Sequence, residues 1–132
     1  MIYQQYRCQC GTIAIHSSTI KAMYSSTFIF GTKHLDEEFH QLDKLIADAA
    51  KALPGYLGEE AWENRTTGLF SNVYYWESLE ALQALMQHPA HLQAKAAQAR
   101  WLDGYHVVIS EVVRTYGNAE LGHRMNVPAV NL

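Results

Sequence analysis

From Leu69 to Trp76 successive side chains point to opposite sides, so Phe70, Asn72, Tyr74 and Trp76 fall on one face of a predicted strand. One amide among three aromatic rings suits a pocket wall or a subunit contact better than a solvated face. Upstream, the apolar run Ser26 to Gly31 predicts a first strand. Between Asp36 and Leu53, the residues Phe39, Leu42, Leu45, Ile46, Ala49 and Leu53 recur at helical spacing. Asp36 supplies an N-cap, Glu37 and Glu38 suit the positive end of the helix dipole, and Pro54-Gly55 stops the helix. Tyr56 to Glu63 is a second strand, joined to the aromatic strand through Asn64-Arg65-Thr66-Thr67-Gly68 as an antiparallel hairpin.

Ser78 caps the next helix, with Leu79, Leu82 and Leu85 spaced by three. His88-Pro89 interrupts it, and Pro89 opens a further helix in its own first turn. That helix is expected to run to Asp103, with Ala90, Ala94, Ala97 and Trp101 forming a narrow face and Gly104 ending it. Tyr105 to Tyr116 is the last strand, with Val107, Ile109 and Val113 on one face and Val108 and Val112 on the other. A strand apolar on both sides needs cover on both sides, and in so short a chain a second subunit is expected to supply half of it.

The order strand, helix, strand, strand, broken helix, strand predicts an α+β, ferredoxin-like domain: a split β-α-β unit with a four-stranded antiparallel sheet. The expected divisions are an N-terminal extension over 1–25, with Met23 as a candidate internal start, the domain over 26–117, and a C-terminal tail over 118–132.

Composition narrows the partners. The chain has 132 residues, 48% hydrophobic and 17% charged, which suits one domain with part of its surface buried against another chain. A net charge of −3 argues against nucleic acid or an anionic membrane as the main partner. No apolar run approaches the ~20 residues a membrane helix needs, and the opening MIYQQYRCQC lacks signal-peptide order. Cys8 and Cys10 stand too close for an easy disulfide and lack a second pair for zinc. They are expected to be reduced thiols in a cytoplasmic protein.

Several strings together resemble the antibiotic biosynthesis monooxygenase superfamily of dimeric α/β barrels. They are the first strand ending in Gly31, the Pro54-Gly55-Tyr56-Leu57-Gly58 turn, and Tyr75-Trp76 before a Ser-led helix. His91, Ala94, Lys95, Trp101, Tyr105, Val108, Val112, Arg114 and Tyr116 add to the likeness, which covers Thr27 to Gly117. The resemblance implies a homodimer whose sheets meet face to face, each subunit keeping a cavity between sheet and helices. It also implies oxygenation of phenol-like aromatics or quinols without metal or flavin. The haem-degrading branch uses a first-strand Asn, a Trp after the third strand and a helical His. Here Gly31-Thr32 and Leu82, Leu85 and Met86 occupy the first two places, so only His91 is left for haem.

Cofactor-free oxygenation needs a base, an apolar cavity that admits O2, and a polar group that steadies reduced oxygen. His91 is the candidate base. Asn72 is the candidate for a substrate carbonyl or oxyanion, and Tyr105 a candidate for orienting the substrate. Phe70, Tyr74, Trp76 and Trp101 are candidate pocket walls for a small aromatic ligand. Against each stands a packing role, heaviest for the tryptophans. His88 and His91 lie three apart without a third ligand, and His88 already suits a cap. Lys95 and Arg100 are expected to face solvent. A non-catalytic dimer that binds a small apolar ligand or serves under stress is the alternative.

Overall fold

The computed structural model describes residues 22–117 and 119–122. Four strands form one antiparallel sheet in the order β2-β3-β1-β4. They are β1 (Met23–Thr32), β2 (Tyr56–Asn64), β3 (Leu69–Trp76) and β4 (Leu102–Val112), with helices α1 (Glu37–Ala52), α2 (Leu79–Met86) and α3 (Pro89–Ala97) between them. A single turn, α4 (Ala119–Gly122), follows β4. This is the expected ferredoxin-like arrangement. The Cys8/Cys10 segment and most of the C-terminal tail lie outside the described residues.

Local chemistry sets the boundaries. Asp36 Oδ1 accepts from the Phe39 amide at 2.9 Å to start α1, and Ser78 Oγ accepts from the Ala81 amide at 3.1 Å to start α2. His88 Nδ1 accepts from the Ala90 amide at 3.1 Å, so the Pro89 break is a capped restart. In the β2–β3 turn, Asn64 Oδ1 takes the amides of Thr66 and Thr67, while Gly68 adopts a φ of +74°.

Four expectations need correction. First, β1 starts at Met23 rather than Ser26: Met23 is buried and pairs with Val112, so three residues assigned to an extension belong to the sheet. Second, the last helix stops at Ala97, passes through a 3₁₀ turn at Gln98–Arg100, and yields to β4 at Leu102. Gly104 is therefore inside the strand. Its φ of +97° lets β4 carry an extra residue opposite Phe30–Thr32, a bulge rather than a helix end. Third, β4 closes at Val112, not Tyr116. Fourth, Leu45 is more than half exposed and stands outside the inner stripe of α1.

The helices pack on the sheet face that carries Tyr24, Phe28, Phe30, Tyr74 and Trp76. Burial there splits into two clusters. One joins Trp76 to Ala50, Ala81, Leu82 and Leu85, and the other joins Phe30 to Leu42, Trp101 and Leu102. β4, at the sheet edge, leaves Tyr105, Val107, Val108 and Ile109 exposed.

Gly55 is the tightest backbone position, with a φ of +92° and room for no methyl, since a Cβ would lie 2.8 Å from the Ala81 Cβ. Gly104 shares the positive φ but faces open space. Gly104→Ala is expected to cost about 1 kcal/mol from backbone strain alone. Gly55→Ala adds overlap with α2 and is expected to cost about 2–3 kcal/mol. Urea midpoints of the two variants measure the difference.

Candidate functional site

Between the two clusters lies a cavity of about 400 Å³. Its floor is the sheet: Ser26, Phe28 and Phe30 from β1, Asn72, Tyr74 and Trp76 from β3, and Tyr105, Val107 and Ile109 from β4. Strand register explains the grouping. Ser26 pairs with Tyr74 and Ile109, and Phe28 with Asn72 and Val107, so these side chains share one face. The roof comes from α1, α2 and α3, and the polar strip His91, Lys95 and Gln98 follows helical spacing along the last of these and its 3₁₀ extension.

Six of the seven sequence-derived candidates border this one space: Asn72, Tyr74, Trp76, His91, Trp101 and Tyr105. Phe70 does not. It stacks on Phe30 at 5.7 Å and belongs to the second cluster, one strand step beyond the floor. Trp76 is wholly buried and its Nε1 donates to Ser26 Oγ at 3.2 Å, so its N–H is spent inside the protein. Trp101 is buried edge-on to Phe39 at 5.7 Å under the Arg100 guanidinium, 4.9 Å from the ring centre. Its N–H makes no complete hydrogen bond; the Phe39 amide is the main group that favours the ionised Asp36 carboxyl, and the Trp101 N–H adds to it. Tyr105 is half exposed at the β4 side, its ring tilted against Phe28 at 5.8 Å.

Polar groups in the cavity have distinct ionisation states. His91 is half-buried, and loss of water lowers its pKa below the ordinary 6.5; the Met86 backbone pulls the other way and the nearby Lys95 and His88 charges reinforce the drop. Its Nδ1 is buried without a formed hydrogen bond. At neutral pH the ring is therefore uncharged and one of its nitrogens carries a lone pair. Tyr74 moves the opposite way: burial first, then the Glu59 carboxylate, hold its phenol protonated far above the usual range. It is a donor at any working pH. The Asn72 side chain makes no hydrogen bond with another described residue, leaving its amide free toward the cavity.

Three polar lining residues were missed by sequence reasoning. Ser26 was assigned to a strand end, Gln98 drew no attention, and Asp43 lies among the charges of α1. Lys95, expected to face solvent, borders the cavity as well. Arg100 is half exposed but engaged, 2.9 Å from Glu38 and 3.6 Å from Asp36. Among the described residues no group of three or more His, Cys, Asp or Glu could hold a metal ion, and no helix is long and apolar enough to cross a membrane.

The direction of the His91 shift can be checked by proton NMR, with the signal assigned by its loss in His91→Gln. Its titration midpoint is expected below 6.5. The linked stability follows the same sign: between the unfolded and folded pKa the unfolded ring binds a proton that the folded one refuses. Stability present above 6.5 is thus lost as pH falls through the folded pKa.

No family model and no curated protein sequence matches this chain. Solved structures do. SnoaB, a cofactor-independent oxygenase from Streptomyces nogalater, superposes with a TM-score of 0.58 at 13% identity, covering 74% of this chain and 99% of that one. A Caulobacter crescentus protein proposed to be an antibiotic biosynthesis monooxygenase gives 0.60 at 18% identity, covering 71% and 92%. A Mesorhizobium loti protein of the dabb family, described as ferredoxin-like, gives 0.52 at 15% identity, covering 67% and 95%. The expected resemblance thus extends to three dimensions: the chain has a ferredoxin-like fold, the one described for the Mesorhizobium protein, and superposes on the Streptomyces oxygenase and the Caulobacter protein.

Proposed function

We propose that this protein is a cofactor-independent monooxygenase acting on a small electron-rich aromatic or quinol, and that it works as a homodimer. The observation that carries the reading is one aromatic-walled cavity bordered by both an uncharged histidine and an uncommitted amide. The shared fold with SnoaB, itself a cofactor-independent oxygenase, supports the same choice.

The chemistry follows from what the residues are able to do. His91 takes the hydroxyl proton of the substrate, and burial keeps it in the basic form needed for that step. The substrate anion gives one electron to O2, and the resulting radical and superoxide combine to form a C–O bond. The peroxide is protonated from the imidazolium. O–O cleavage with loss of the carbon-bound hydrogen then leaves a carbonyl on the product and releases water. The substrate supplies all the electrons, so one O2 yields one carbonyl oxygen and one water. Asn72 donates to the oxyanion, while Tyr105 orients the ring and Tyr74, Trp76 and Trp101 form the wall.

Oxygen uptake with a panel of hydroxyarenes and quinols tests the reading. Turnover is expected in the wild type and a loss of about 10²–10⁴-fold in His91→Ala. Asn72→Ala is expected to lower kcat by about 10²–10³-fold. The rate should fall on the acid side as His91 protonates, with its midpoint below 6.5. No uptake with any member of the panel would sink the proposal. The dimer is supported by Trp62 and Val108, both exposed on the sheet face away from the helices; light scattering is expected to give twice the 15.0 kDa chain mass.

A further inference from the structure

The cavity wall contains one carboxylate, Asp43 of α1. It makes no hydrogen bond from its side chain and no ion pair with any described residue. Lys95, the other charged side chain at the cavity, is not paired with it. The groups that act on Asp43 are His40 on its own helix and Glu59 on β2, with opposite signs, and the Tyr74 phenol on β3 feels its charge in turn. Asp43 is exposed as a residue, yet partial loss of water raises its carboxyl above the usual range. Ser26 Oγ, by contrast, already accepts the Trp76 N–H, and Tyr74 and Lys95 serve as donors.

Besides the Asn72 and Gln98 amides, two acceptors on the helices lack a protein partner: the lone pair of His91 on α3 and the carboxylate of Asp43 on α1. They stand on different helices over one aromatic floor. Resting on the reading of this cavity as a site for a small aromatic, we infer that Asp43 is a specificity-determining residue. Together with His91 it selects a ligand with hydrogen-bond donors at two separate positions, a dihydroxyarene over a monophenol. A dihydroxyarene replaces the water lost from both acceptors as it enters. A monophenol serves one and forgoes the second, charge-assisted bond.

Anaerobic titration with naphthohydroquinone and with naphthol, read by quenching of Trp76 and Trp101 fluorescence, tests this without turnover. The wild type is expected to prefer the diol by about tenfold or more, the difference made by one hydrogen bond to a charged group. Asp43→Leu should bring the two affinities within about twofold by weakening the diol alone. Asp43→Asn, which keeps the shape and one acceptor oxygen, should retain part of the preference. Equal binding in the wild type, an unchanged preference in Asp43→Leu, or binding of neither compound would overturn the inference. Preference without oxygen uptake would instead defeat the oxygenase reading and leave the role of Asp43 standing.

Discussion

The hollow between sheet and helices exists because the middle of the inner sheet face is too thinly furnished to fill it. At the ends of that face stand Trp76 and Phe30, and each gathers its own set of helix residues. Between them the register brings up Ser26 and Asn72, one small and one polar, while the intervening rings of Phe28 and Tyr74 stack on Phe30 and Trp76 at 4.8 and 6.1 Å. Interiors close to crystal-like density where side chains allow; here they cannot meet. The bond from Trp76 to Ser26 holds this arrangement, because it satisfies the indole N–H and fixes the large ring as a side wall. Without that acceptor the ring would leave a buried donor unsatisfied or turn inward.

Much of the fold was legible in the sequence because its signals are local. Alternation over 69–76 and the caps at Asp36, Ser78 and His88 depend on neighbours within a few residues, and each produced the expected element. Gly104 was misread for the same reason. A glycine after a helical run resembles a C-terminal stop, and nothing nearby reveals that β1 will sit opposite and require a bulge. The early start of β1 was hidden in a Ser-rich stretch whose strand character comes from pairing with Tyr75 and Ser110.

The site was legible in proportion to how far its residues follow strand parity. Asn72, Tyr74 and Trp76 come from one alternating run and reach one space. Phe70 obeys the same parity but lies too far along the strand, a fact that only the packing of Phe30 discloses. On α1 the error was rotational. Four residues advance a helix by about 40° beyond a full turn, which puts Asp43 close to Phe39 on the inner face, while Leu45 falls to the side. Reading Leu45 as core followed hydrophobicity over geometry, and so the one carboxylate of the cavity wall passed unnoticed.

A split core also joins occupancy to heat resistance. The two clusters share a sheet and its crossing helices, yet across the gap they exchange little dispersion energy of their own. A guest filling that gap touches both, and because the unfolded chain offers no such berth, each tenfold rise in free guest above its dissociation constant adds about 1.4 kcal/mol to the folded side. Melting temperature thereby becomes a meter for cargo, able to rank compounds even where no product forms.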